Sequence, residues 1–184
     1  MRLRSFATLV ALILLAVSRH ADASVVLTVD VSDPGMVSIQ STSAFSAVDA
    51  TGLSFSDGVS LVGLLGTGTV AANESRVSGD LAVGVSQIQL GVQFVDASNG
   101  LFNLFGGPDT TIEFSTNEPA FTGQGLFNLS QQPLGALPPL GQTGDVVLGF
   151  NATFDTVIGT YVVVPEPTSL AFAGFGMLLL RRRR

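Results

Sequence analysis

The chain has 184 residues, of which 46% are hydrophobic and 12% charged, with 21 Gly, 8 Pro, no Cys and no Trp. Every basic side chain except His20 is an Arg, and between Ser24 and Val164 twelve carboxylates face the single Arg76, a net charge of −11. With no His, Lys or Cys in that stretch, it can build no thiolate nucleophile, Ser-His-Asp triad, Schiff-base Lys or Cys/His zinc site, and its acidity argues against nucleic acid as a partner.

The first segment has three parts. Arg2 and Arg4 precede an apolar run, Ala7 to Val17, broken only by Thr8, and the polar stretch from Ser18 ends in Ala21-Asp22-Ala23. A basic start, an apolar stretch of about 7–15 residues and a small-x-small site make a secretory signal peptide. Residues 1–23 are therefore expected to be removed by signal peptidase, between Ala23 and Ser24. The apolar run is well short of the roughly 20 residues of a spanning helix, which argues against a permanent anchor. The exported remainder has no disulfide to hold it, but residues 24–164 are enough to bury a core without one.

Residues 24–164 read as all-β. Val25, Leu27, Val29 and Val31 alternate with Val26, Thr28, Asp30 and Ser32, the period of a half-buried strand, and Asp33-Pro34-Gly35 supplies a turn. Val59 to Leu65 is a Gly-bounded apolar run, a buried strand or a helical turn, read here as strand. Leu81, Val83 and Val85 are apolar at odd positions, whereas Ile88, Leu90, Val92 and Phe94 are apolar at even ones. That phase change at Ser86-Gln87 predicts a β-bulge or bend within one long stretch. Asn99-Gly100 ends it in a turn. Ile112 and Phe114 alternate with Thr111, Glu113 and Ser115, and Leu148, Phe150, Ala152 and Phe154 form a last alternating set. Gln131 to Gly144, with three Pro and three Gly, should be a long surface loop.

Short strands separated by Gly, Asn and Asp predict an antiparallel β-sandwich or jelly-roll-like domain. The residues expected to point inward are Val25, Leu27, Val29, Leu81, Val83, Val85, Ile88, Leu90, Val92, Phe94, Leu148, Phe150 and Phe154, with acidic side chains outward. One repeat is visible, Gly100-Leu101-Phe102-Asn103-Leu104 and Gly125-Leu126-Phe127-Asn128-Leu129. It reads either as twin strand starts in one sheet or as a repeated sticky turn presenting Phe102 and Phe127.

The last segment opens with Pro165-Glu166-Pro167. Both Pro break the apolar strand pattern of Tyr161 to Val164. Residues 168–180 then form a short apolar segment, and Arg181, Arg182, Arg183 and Arg184 close the chain. As a helix those 13 residues would span about 20 Å at the standard rise. Snorkelling Arg and local thinning would let so short a helix cross a bilayer, the Arg cluster held in the cytoplasm.

These three parts in this order resemble the PEP-CTERM sorting signal of exported bacterial proteins. The resemblance covers residues 165–184 and implies that Pro165, Glu166 and Pro167 are the element recognised by a membrane-embedded exosortase. The chain would then be that enzyme's substrate, held transiently in the inner membrane before passing to the cell envelope, outer surface or extracellular matrix. An ordinary C-terminal anchor with a positive-inside stop is the competing reading.

No constellation of residues announces catalysis. Paired carboxylates, as in glycosidases, are the one option that needs no His, Lys or Cys. None of the twelve stands in a motif, so no enzyme is expected. Calcium suits the oxygen-rich composition, with loop-like spacings at Asp30 and Asp33 and at Asp96 and Asn99. Neither pair follows an EF-hand pattern, and Asx turns explain the same residues. Sequons stand at Asn73, Asn128 and Asn151. Two classes stay open: a structural or adhesive envelope protein, associated with exopolysaccharide, and a calcium- or carbohydrate-binding module with the same destination.

Overall fold

The computed structural model describes residues 23–33, 35–53, 58–65, 76–96, 100–106, 111–128, 138–149 and 155–165. Among them there is no helix, and so none long and apolar enough to cross a membrane. The signal-peptide segment up to Asp22, Glu166, Pro167, the apolar segment 168–180 and Arg181 to Arg184 lie outside the described residues, as do Phe150 and Phe154.

The described chain is all-β. In order it forms β1 (Val25–Asp33), β2 (Met36–Ser41), β3 (Ala50–Leu53), β4 (Val59–Leu61), β5 (Arg76–Gly79), β6 (Ala82–Val83) and β7 (Gly91–Asp96). There follow β8 (Leu101–Phe105), β9 (Ile112–Phe114), β10 (Phe121–Thr122), β11 (Gln124–Asn128), β12 (Thr143–Leu148) and β13 (Val157–Val163). Nine of them make one sheet in the order β5-β11-β2-β1-β13-β12-β4-β8-β7. Two small antiparallel pairs, β10-β6 and β3-β9, complete the strands.

The antiparallel expectation meets one exception. β1 and β13 run parallel, side by side in the middle of the large sheet, so that sheet is mixed. It is also strongly curled. β11 and β8 stand six places apart in strand order, which in a flat sheet would separate them by about 29 Å. Yet the Phe127 and Phe102 rings meet edge to face, centroids 6.5 Å apart. Leu101 to Leu104 of one repeat copy and Gly125 to Asn128 of the other thus lie in strands of one sheet, and their Phe side chains are fully buried against each other. The sticky-turn reading is overturned, because curling turns both Phe positions into the core. A second edge-to-face pair, Phe114 and Phe121 at 5.6 Å, joins the two small sheets.

The period of two places much of the core as expected. Leu27, Val29, Leu81, Val83, Leu90, Ile112, Phe114 and Leu148 are buried, and Ile88 packs against them. Two expected inward residues point elsewhere. Val25 is exposed and Val26 is fully buried. The β1–β13 register shifts between Val25 and Leu27, so Val26 and Leu27 both face inward across a bulge and the phase before it inverts. Val85 is also exposed, because the chain does not bend at Ser86-Gln87 but reverses. The Gln87 N–H donates to Val83 O (2.9 Å), the Val83 N–H to Ile88 O (3.0 Å) and the Leu90 N–H to Leu81 O (2.8 Å). Gln87 takes the left-handed φ of 54° that closes this hairpin, and its side-chain amide donates to Gly84 O. What reads as one long strand is therefore two, β6 and β7, in different sheets.

The predicted turns hold. Asp33 pairs with Met36 across Pro34-Gly35, and the Gly35 N–H donates to Asp33 Oδ1 at 2.8 Å. Asp96 pairs with Leu101, Gly100 taking φ +67°. The apolar run from Val59 gives only three strand residues before turning at Val62. Of the predicted loop from Gln131 to Gly144, residues 131–137 lie outside the described residues, and Thr143 and Gly144 already belong to β12.

Candidate functional site

The two predicted boundaries fall on the central parallel pair. Ser24 is exposed just before β1, and its carbonyl accepts the Thr160 N–H at 2.9 Å. Ala23 O accepts the Thr160 hydroxyl at 3.2 Å. Among the described residues, removal of residues 1–23 would leave the ladder bond to Ser24 and take away the hydroxyl contact to Ala23 O. At the other end the Val164 N–H donates to Val29 O at 2.9 Å. Pro165 follows, half-buried and without an N–H, so the ladder stops where the Pro-Glu-Pro element begins. Of the named boundary residues only Ala23, Ser24 and Pro165 are described; Ala21 is not.

Four carboxylates serve local structure. Asp30, mostly buried against the outward expectation, accepts the Ser32 N–H at 2.8 Å, and Asp33 closes its turn. Asp49 accepts the Thr116 N–H (2.7 Å) and hydroxyl (3.1 Å), and these bonds, the backbone one first, hold its carboxyl below the ordinary range. Asp80 accepts the Gln124 N–H at 3.0 Å. At Gly123, with φ +72°, a Cβ would stand 2.3 Å from that Asp80 oxygen. No group of three or more His, Cys, Asp or Glu able to hold a metal occurs among the described residues. Asp96 ends β7 and Asn99 lies outside the described residues, so that pair gives no geometry. Asn128 is exposed at the end of β11; Asn73 and Asn151 lie outside.

Two polar arrangements were not anticipated. The first is buried. The Ser60 hydroxyl on β4 lies 2.6 Å from the Asn103 side-chain oxygen position on β8 and 2.8 Å from Gly149 O. The hydroxyl donates to Asn103 Oδ1, with Gly149 O as a second acceptor beside it. Both residues are fully buried. The second arrangement is open. On the outer face of β2, β11 and β5, Leu126 stands opposite Ser38 on one side and Ser78 on the other. With Gln124 and the backbones of Gly79 and Gly125 they line a shallow groove of about 190 Å³. It offers hydroxyls, an amide and one apolar side chain, without a charged group in its lining. The alternation of Ser38 with Gln40 and of Gln124 with Leu126 marks these faces in the sequence, but which strands meet does not follow from it.

Tyr161, the only tyrosine, sits on β13 with its hydroxyl donating to Val62 O at 2.8 Å. Its ring passes over Gly144, where a Cβ would stand 2.6 Å from it. Burial pushes the phenol up to about 12, opposed by a hydrogen bond with Gln142 and assisted by Asp145.

No family model matches this chain, and neither a curated protein nor a solved structure matches it.

Proposed function

We propose that the chain is an exported, non-catalytic protein of the bacterial cell envelope or extracellular matrix, structural or adhesive in role. On this reading residues 1–23 are a signal peptide and residues 24–164 a β-sandwich passenger. Residues 165–184 are a PEP-CTERM-type sorting signal. The observation that carries the reading is the order of parts in the tail, Pro165-Glu166-Pro167, apolar segment, Arg181 to Arg184, behind a signal-like start. The ladder that ends at Pro165 supports it, since a processing element must be reachable outside the packed sheet. The curl that brings Phe102 onto Phe127 supports the sandwich. Signal peptidase and an exosortase are the processing enzymes, the inner membrane is a transient stop, and exopolysaccharide is the expected neighbour.

The test is processing in an exosortase-bearing host. N-terminal sequencing of protein from the envelope or medium should begin at Ser24. Glu166→Ala, or deletion of the exosortase, should leave a longer, membrane-bound form. Identical processing and localisation of the variant would refute recognition of the motif.

The outer-face groove favours a second reading, a carbohydrate-binding module with the same sorting signal. Its hydroxyl and amide lining suits sugar hydroxyls, although no aromatic platform lies within it. Calcium binding stays the other form of that reading. Titration of the full chain with exopolysaccharide or with calcium should raise its melting temperature with concentration if either binds the folded state.

A further inference from the structure

The strand that leads into the tail is not an edge strand. β13 is fifth in the order of nine, bonded to β1 on one side and β12 on the other. Against β1 the register runs from Val25 with Thr160 to Val29 with Val163, extended by the Thr160–Ser24 and Val164–Val29 backbone bonds. Against β12 it runs from Thr143 with Val162 to Val147 with Val157. Beyond that ladder the Val163 N–H donates to Gln142 O and the Gly141 N–H to Val163 O, both at 2.8 Å.

Tension applied beyond Pro165 acts along the axis of β13. Its inter-strand bonds run across that axis, so both ladders are loaded together in shear, and no rung can open before its neighbours. β1 is parallel to β13 and enters the fold at the opposite end of the pair, so pulling the two boundaries apart slides these strands past each other. A side chain locks the same motion. Tyr161 would have to leave Val62 O and its seat over Gly144 before β13 could advance.

We infer that β13, clamped between β1 and β12, is a force-bearing strand through which load from an anchored tail enters the fold. The use of this clamp in the cell rests on the proposed, transient hold of the tail in the inner membrane. Its mechanics do not, so the two can fail separately.

The experiment is single-molecule pulling on the full chain, whose lack of native Cys lets two introduced thiols define the direction. Ser24→Cys with Thr168→Cys loads β1 and β13 in shear. Ser24→Cys with Ser43→Cys pulls at the open end of the β1–β2 hairpin, where Leu27 pairs with Ser41, and opens its rungs one by one. Unfolding under force reports the barrier along the pulled direction, and the first geometry should rupture at about twofold or more the force of the second. Val164→Pro, which deletes the N–H donated to Val29 O, should lower the first force and leave the second unchanged. Equal forces in the two directions, or an equal loss in both on Val164→Pro, would overturn the clamp.

Discussion

The middle of the large sheet and its β2–β11–β5 flank are built from the same kind of alternating sequence, yet they end in different states. In the middle, β4 is buried along its whole length, and its polar Ser60 is paired with Asn103 on β8. On the flank, β5 is the edge strand among the described residues, and the outward Ser78, Gln124 and Asn128 are exposed. The difference teaches that the period of a strand sets its two faces, whereas its place in the sheet sets what those faces must tolerate. A buried polar side chain such as Ser60 has to find its hydrogen bonds within the protein, whereas exposed ones such as Ser78 and Gln124 are open to water.

The largest effects should come from the edge-to-face contact by which the curl brings β11 of the flank onto β8. Phe102→Ala and Phe127→Ala should each cost about 3–5 kcal/mol in chemical denaturation. The double variant should show a coupling of about 0.5–1.5 kcal/mol for the edge-to-face pair. A loss at Phe127 below about 1 kcal/mol would break the comparison, since the inner side of the flank would then not share the core.

Next is the buried pair. Asn103→Ala removes one partner of the buried Ser60 hydroxyl and should cost about 1–3 kcal/mol. Ser60→Ala combined with it should cost less than the sum of the two single changes.

Tyr161 gives a pH test confined to the middle. A tyrosine near 10 in the unfolded chain and pushed up to about 12 in the folded one favours folding fully below pH 10. That contribution is lost as pH rises from about 10 through 12. The chain has no Lys, no Cys and no other Tyr, so no other side chain except Arg titrates in this window. Tyrosinate absorbance should appear together with loss of β circular dichroism, and Tyr161→Phe should flatten the alkaline fall in stability.

Asp49 gives the opposite slope. Its carboxyl, held low by Thr116, stabilises the fold above the ordinary carboxylate range, and this is lost as pH falls through its folded value. Denaturation midpoints of the original chain and Asp49→Asn should converge in acid. The smallest change belongs to the flank. Ser78→Ala and Gln124→Ala should stay within about 0.5 kcal/mol of the original stability, and any loss of polysaccharide binding they cause would then report the groove alone.

The all-β class, the turns at Asp33 and Gly100 and the burial of Leu27, Leu81, Leu90, Ile112 and Phe114 are legible in the amino-acid order, because each depends on residues close in the chain. The acidity of residues 24–164 and the distinct composition of both ends are equally properties of that order. Other features required the tertiary structure. Alternation cannot say whether Val25 or Val26 faces inward, because the β1–β13 bulge that inverts the phase exists only once β13 is its neighbour. It cannot tell a bend from a reversal at Ser86-Gln87, since both shift the phase by one residue. Nor can it show that β1 and β13 lie parallel, that Phe102 meets Phe127, or that Ser38, Ser78 and Gln124 share one groove. A period of two assigns residues to faces within a strand. The partners of that strand, and the curl of the sheet they form, are set by packing between segments far apart in the chain.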